Sequence, residues 1–572
     1  MNFIPKPKKL TVKAGFLNKT AIDASCKTDD ERLNKAIAKL PLKKDGAKLF
    51  IHKGTGESES YTLDIEPESI TITAEGARGA FYGIQTLRQI FTNGEVPCLH
   101  IEDKPDFDFR GFHQDVTRGR IPKVETIKGL IDQMAYYKLN TLELYSENVF
   151  DFKEFKNVTA RTGCITAAEI KEIENYCDEN FIKLIPAVAT FGHLYELLND
   201  EEYSHLRVLK DYKPTNIFWD ERAYHHTLDP NMPESFELVK SILDQCMEMF
   251  SSDTVNIGCD ETFDLENFKN ENPGKLYTAF VKKIAEYLAS KGKKVMMWSD
   301  VILDNFDLID ELPDDVILLT WGYGRKLREK EAMDIAHLNR KQILCPGCNT
   351  WTRVVEDTEI NEVNIPGMAE LAKRSGAMGV LNTSWGDWGQ PCCIELSMYG
   401  FLLGAEKSWS ADTVTDENFE KKANALYYKN ENAIKELKAL SAAATAIPWW
   451  HFGAAYSNEL CENGNLKVEI PSEETVKNTC ADLKSLIRRV NAQEWGNEEC
   501  RSEILMAAEE VLLMAQIFAD YAGYNFEHTV NTKEWLLKFR KKWLEKNKEG
   551  ELSQIEKMFV YMDGAAKREG SA

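Results

Sequence analysis

The stretch 254-TVNIGCDET-262 carries the reading of the fold. Thr254 to Gly258 is a short apolar run that stops at a glycine and delivers two adjacent carboxylates, Asp260 and Glu261. A run this short, followed by the longer helical pattern KLYTAFVKKIAEYLAS (275–290), reads as a buried parallel strand and its crossover helix. The same unit repeats to either side. Apolar runs occur at 111–116, 139–145, 181–190, 254–258, 294–298, 316–321, 342–346 and 379–385. Helical candidates such as VETIKGLIDQMAYYK (124–138), TAAEIKEIENYCDEN (166–180) and NEVNIPGMAELAKRS (361–375) lie between them. Eight strand–helix units predict an α/β fold, a (β/α)8 TIM barrel over residues 105–405, with its chemistry at the carboxyl ends of the strands. A doubly wound open sheet is the other architecture that alternating elements allow.

Outside that region the texture changes. Residues 1–104 show short strands with alternation at Tyr61, Leu63, Ile65, Ile70 and Ile72. The helical segment GARGAFYGIQTLRQIF (76–91) places Phe81, Ile84, Leu87 and Phe91 on one face, as in a small N-terminal α+β domain. From 406 to 572 the strand runs cease and amphipathic helical patterns predict a C-terminal helical domain.

The chain has 572 residues, 43% of them hydrophobic and 28% charged, enough apolar material for several cores. Asp and Glu number 92 against 70 Lys and Arg, a formal charge of −22 that repels phosphate backbones, so nucleic acid is not an expected partner. The N-terminal lysines are not followed by an apolar signal core, and no window reaches the ~18 apolar residues of a span. A cytoplasmic protein with no membrane partner is expected. Thirteen scattered cysteines fit reduced thiols, and the lone Cys345-x-x-Cys348 lacks the second pair of a structural zinc site. His225 and His226 have no metal-ligand spacing, and HExxH, P-loop, strand-GxGxxG-helix and GxSxG motifs are missing. No metal and no cofactor are expected.

Candidate functional groups are the residues just after each run. Asp115 and Arg118 follow the first, with Arg110 at its start; Glu147 follows the second and His193 the third, behind Gly192. Trp298, Trp321 and Trp385 end the fifth, sixth and eighth, Trp351 follows the seventh, and Asp387 follows Trp385. Flat aromatic walls with carboxylates and an arginine among them suit a pyranose. The plainer alternatives are that single tryptophans seal the top of the barrel and that His193 is structural. Asp-Glu occurs seven times in this acidic chain, at 30–31, 178–179, 200–201, 220–221, 260–261, 310–311 and 416–417, but only Asp260-Glu261 follows a short strand. Adjacent side chains on an extended chain point apart, so these two carboxylates do different jobs.

The segments FRGFHQDVTRGRIP (109–122), NIGCDET (256–262) and NTSWGDWGQ (382–390) resemble family 20 glycoside hydrolases, the β-N-acetylhexosaminidases. YTLDIEPESITITAEGARGAFYGIQTLRQIF (61–91) is similar to the small domain preceding the barrel there. The resemblance spans roughly residues 1–400 and implies an exo-acting, retaining hydrolase that removes terminal β-linked GlcNAc or GalNAc from a small glycan or glycoconjugate. In that chemistry the substrate's own acetamido oxygen is the nucleophile and an oxazoline is the intermediate. By position it implies Glu261 as general acid, Asp260 as the carboxylate holding the acetamido group, and Arg110 and Asp387 on the ring hydroxyls. Trp298, Trp321 and Trp385 are implied as the aromatic box, with His193 and Glu147 in support. The family's acetamido-polarising tyrosine after the seventh strand has no counterpart in CPGCNTWTRVVE (345–356). Trp351, Asn349 or Tyr323 is left to line that position. A non-catalytic carbohydrate-binding barrel, or a glycosidase for a sugar without the acetamido group, are the alternative functions. Oligomeric state is left open.

Overall fold

The computed structural model describes the chain except residues 160–162, 214–217, 225, 412–417, 461–465 and 570–572, so His225 and the Asp416-Glu417 pair lie outside the described residues. The N-terminal region is a five-stranded sheet of β1 (Lys9–Phe16), β2 (Lys48–Lys53), β3 (Tyr61–Ile65), β4 (Ser69–Ala74) and β5 (Pro97–Asp103). Its order is β1-β5-β3-β4-β2. Alternation along β3 and β4 turns Tyr61, Leu63, Ile65, Ile70 and Ile72 inward, where helix α1 (Ala77–Ile90) covers them with Phe81, Ile84 and Leu87.

Eight parallel strands then close a barrel: β6 (Phe109–Asp115), β7 (Thr141–Ser146), β8 (Lys183–Val188), β9 (Thr254–Asn256), β10 (Lys294–Trp298), β11 (Ile317–Trp321), β12 (Gln342–Cys345) and β13 (Gly379–Ser384). Each of the eight apolar runs overlaps one of them, and the open-sheet alternative falls because β13 pairs with β6 in register from Gly379–Phe109 to Ser384–Gln114. Strands enclosed on both faces need no polar side, which is why β7 and β13 are buried at every residue. Ile185, Ala187, Met296, Leu319, Ile343 and Leu381 fill the barrel interior, and Tyr145, Trp298 and Trp385 belong to the same cluster.

Among the described residues no strand follows Ser384, and the chain continues in helices, four long ones being Glu473–Ala492, Glu498–Tyr521, Thr532–Lys546 and Leu552–Glu569. This helical region grips the loop after β6 through its backbone. Glu551 N–H donates to Gly119 O at 2.9 Å, Lys548 N–H to Ile121 O at 2.8 Å and Lys123 N–H to Lys546 O at 2.9 Å. Among the described residues no helix is long and apolar enough to cross a membrane.

Candidate active site

The turn after β9 presents the two carboxylates and is held from behind. Gly258, Cys259 and Glu261 all have left-handed backbone, φ +68°, +67° and +48°. Two non-glycine residues persist there only if their surroundings impose it. The Tyr277 hydroxyl donates to Cys259 O at 2.8 Å and Asp300 Oδ2 accepts the Glu261 N–H at 2.9 Å. Gly192 lets the loop after β8 come close: a Cβ there would stand 2.3 Å from Asp260 O. The next residue, His193, also left-handed at φ +57°, is thereby laid against both carboxylates.

His193 Nε2 lies 3.2 Å from Asp260 Oδ2 and 3.4 Å from Glu261 Oε2. The side chain of Asp260 is 12% exposed and that of Glu261 36%, so the neighbours face different environments. Burial disfavours charge on His193, but Asp260 and then Glu261 outweigh it and hold the imidazole pKa well above its ordinary value. The converse holds for Asp260: burial raises its pKa, and the His193 charge brings it below the usual carboxylate value. His226 stacks on His193 with ring centroids 4.5 Å apart and its Nδ1 accepts the His193 N–H at 2.8 Å; burial, then the His193 charge, lower its pKa to about 3. His226 is therefore a neutral support. Asp300 is pushed up to about 7 by burial and then by the charge of Asp260.

A second charged cluster adjoins the first. Asp115 Oδ2 accepts from Arg118 Nε at 2.8 Å, and Arg118 Nη1 donates to Asp387 Oδ1 at 2.6 Å. The Gly386 N–H also donates to Asp115, at 3.0 Å, joining the loops after β6 and β13. Arg118 lies over the rings of Tyr145 and Trp385, 5.2 and 4.8 Å from their centroids. Buried Glu147 stands 3.6 Å from Arg118, 3.9 Å from Arg222 and 4.0 Å from His193. Arg222 in turn binds Glu551 at 2.7 Å.

Between these clusters the aromatic residues form one wall. Trp385 meets Trp298 at 5.3 Å and donates its indole N–H to the Tyr323 hydroxyl at 2.7 Å. Tyr323 is stacked on Trp321 at 5.1 Å and meets Trp351 edge-on at 4.7 Å. Trp298 is fully buried and closes the wall from below.

Of the residues singled out from the sequence, the structure gathers Asp260, Glu261, His193, Glu147, Asp387, Trp298, Trp321, Trp351, Trp385 and Tyr323. Arg110 is not among them. It starts β6, five residues or ~17 Å of strand before Asp115. Its guanidinium is spent on Glu59 (2.5 Å), Phe107 O (2.8 Å), Lys138 O (3.0 Å) and the Tyr82 hydroxyl (3.0 Å), at the seam with the N-terminal region. The arginine at the mouth is Arg118. Strand direction alone selects it over Arg110, because it follows the carboxyl end. Arg222 and Asp300 were not singled out, since neither lies in a motif. Asn349 is turned to Gly347 O and Asn361, at 3.0 and 2.9 Å. A possible ligand group for a metal, Cys393, Glu395 and Glu503, lies elsewhere and holds the Lys546 ammonium, 2.9 Å from Glu395 and 2.7 Å from Glu503.

Comparison with known proteins agrees with this architecture. "Glycosyl hydrolase family 20, catalytic domain" matches residues 107–421 and "Glycosyl hydrolase family 20, domain 2" residues 1–104. A Beta-hexosaminidase of Porphyromonas gingivalis is 24% identical over 412 residues, 64% of this chain and 49% of the relative. One of Akkermansia muciniphila is 27% identical over 323 residues, 50% of this chain and 63% of the relative. The chain thus spans about half to two-thirds of the length of these relatives. The crystal structure of a Flavobacterium johnsoniae chitobiase superposes with a TM-score of 0.63 at 17% identity, covering 98% of this chain and 99% of that one, so the fold extends through the helical region. With the catalytic-domain match running over more than half of its residues, the chain belongs to glycosyl hydrolase family 20.

Proposed function

We propose that the protein is an exo-acting, retaining β-N-acetylhexosaminidase that releases terminal β-linked GlcNAc or GalNAc by substrate-assisted catalysis. The observation that carries this reading is the shared contact of His193 with Asp260 and Glu261, at 3.2 and 3.4 Å, by two carboxylates of unequal exposure. In the proposed reaction Glu261, the more exposed, gives its proton to the glycosidic oxygen as the bond from C1 to that oxygen breaks. The acetamido carbonyl oxygen of the substrate bonds to C1 and an oxazolinium forms. Asp260, kept ionised by His193, accepts the acetamido N–H and balances the positive charge. Water then adds to C1, its proton passes to Glu261, and the C1–oxazoline bond opens to restore the acetamide with retained configuration.

Two further features support the assignment. Tyr323 offers a phenol whose pKa burial drives well up, so it stays protonated and able to donate to the acetamido oxygen from the sixth strand rather than the seventh. Arg118 and Asp387, joined at 2.6 Å, offer a donor and an acceptor to the hydroxyls of a terminal sugar, and fit a site closed at the non-reducing end. Among the described residues twelve cysteines are free, which fits a reducing compartment, and we place the reaction in the cytoplasm. The test is hydrolysis of an aryl β-GlcNAc with NMR detection of the first anomer released. The β-anomer is expected, with Glu261→Gln reducing the rate by at least ~10³-fold. Calorimetric binding of GlcNAc with no turnover by the unaltered protein would instead identify a carbohydrate-binding barrel.

A further inference from the structure

Two large apolar side chains stand uncovered beside the catalytic turn. Phe263, two residues beyond Glu261, is 47% exposed, and Tyr224, at the end of the helix Phe218–Tyr224, is 54% exposed. They meet each other with centroids 6.1 Å apart and planes 37° apart. The other strongly exposed apolar residues, such as Val12, Phe16, Leu537 and Val560, lie on the edge strand β1 and on C-terminal helices. Single exposed apolar side chains need no explanation, but a contacting pair at the lip of a site does.

The position of the pair relative to the two carboxylates gives it a direction. The Phe263 N–H donates to Glu261 O at 2.8 Å, so the same turn that presents Glu261 throws the phenyl ring outward. Phe263 lies 6.5 Å from the ring of His226, which stacks on His193, which touches both carboxylates. Through the shared turn the pair is on the side of Glu261, the more exposed of the two carboxylates, while the tryptophan wall belongs to the barrel interior with Trp298 and Trp385. An acid that protonates the glycosidic oxygen must have the leaving group on its own side.

We infer that Phe263 and Tyr224 form a subsite for the leaving group, shaped for a second pyranose ring whose C–H face lies on the two aromatic faces. The inference rests on the assignment of Glu261 as the acid. It makes a disaccharide, rather than a glycoside of a small aliphatic alcohol, the substrate that the lip recognises. Aromatic contact of this kind discriminates by shape and apolar area without committing to one hydroxyl pattern.

The test measures binding without turnover. In the Glu261→Gln background, calorimetry gives the affinity for the β-1,4-linked GlcNAc disaccharide relative to GlcNAc. Phe263→Ala and Tyr224→Ala, which alter separate elements, are each expected to lower that ratio roughly three- to tenfold, and together by more, with Phe263→Trp restoring it. A ratio that stays at its parent value in the single and double variants overturns the subsite. So does a parent protein that binds the disaccharide no better than the monosaccharide. Failure of the unaltered chain to hydrolyse either sugar would count against the hydrolase reading and not against this ratio.

Discussion

The indole N–H of Trp385 donates to the phenolic oxygen of Tyr323 at 2.7 Å, tying the end of the eighth barrel strand to the loop after the sixth. An oxygen that accepts there directs its single O–H elsewhere, and stacking on Trp321 fixes the ring. Tyr323→Phe keeps the stacked ring and removes the donor. On an acetamido substrate kcat is expected to fall by roughly 10²–10³-fold, the usual effect of deleting one preorganised donor, with KM changing much less. Steady-state kinetics with an aryl β-GlcNAc decides it, and a change within twofold would move the polarising role away from Tyr323.

The His193–Asp260 pair predicts a pH signature in stability. Burial opposes charge on His193, but Asp260 raises its folded pKa above the ordinary 6.5; the stabilisation is therefore complete below about pH 6.5 and lost as pH rises through the folded value. Asp260 sets the acid limit, because its lowered pKa contributes stability that disappears as pH falls below the ordinary carboxylate value of 3.8. The melting temperature of the unaltered protein minus that of His193→Gln should be greatest near pH 5–6 and shrink above neutrality. A pH-independent difference would show that His193 is held by packing alone.

The barrel and its aromatic wall were legible because their signals are local. A strand covered on both faces needs no polar side, so eight largely apolar runs announced eight strands, and whatever follows each run lands at one mouth. Glu147, His193, Trp298 and Asp387 could be named on that rule. Applied consistently, it would also have selected Arg118 over Arg110, since the two lie at opposite ends of β6. Asp300 and Arg222 were hidden for a different reason. Asp300 matters because its carboxylate receives the Glu261 amide, and Arg222 because Glu551 reaches it from the C-terminal helices; neither relation leaves a periodicity.

Asp300 is a carboxyl group held close to two others. Burial and then Asp260 raise its pKa from 3.8 to about 7, so the folded state holds a proton that the unfolded chain has released, and stability declines as pH rises from about 4 to about 7. Asp300→Asn retains an acceptor for the Glu261 N–H and removes the titration. The variant should melt several degrees higher than the unaltered protein at pH 8 and nearly with it at pH 4. A lower melting temperature at pH 8 would mean that the ionised carboxylate is needed to hold the left-handed Glu261.

The helical region braces the mouth through one carboxylate. Glu551 accepts from Trp219 Nε1 at 2.7 Å and pairs with Arg222 at 2.7 Å, bonding across 332 residues of sequence in the first case. Removing one partner of a buried ion pair costs about 3–5 kcal/mol where the other charge is left alone, and less here because Arg222 keeps Glu196 at 3.5 Å and Glu147 at 3.9 Å. Glu551→Ala should therefore lower the urea midpoint markedly, and Glu551→Gln, which keeps the Trp219 hydrogen bond, should recover part of it. Denaturation curves superposable on those of the unaltered protein would show that the backbone contacts at Gly119 and Ile121 suffice.

Arg118 and Arg110 lie on the same strand and its following loop, yet they answer to different measurements. Arg118 holds Asp115 and Asp387 at 2.8 and 2.6 Å with separate nitrogens of its fork, a geometry that lysine cannot copy. Arg118→Lys should raise the inhibition constant of GlcNAc roughly tenfold or more by releasing Asp387, the residue proposed to meet the terminal hydroxyls. Arg110 has no such reach, because its guanidinium is enclosed by Glu59, Phe107, Lys138 and Tyr82. Arg110→Lys should leave buried acceptors unmet and lower stability by about 3 kcal/mol while the inhibition constant stays within about twofold. If Arg110→Lys weakened GlcNAc as much as Arg118→Lys and left the urea midpoint unmoved, the ring hydroxyls would have to be assigned to Arg110 after all.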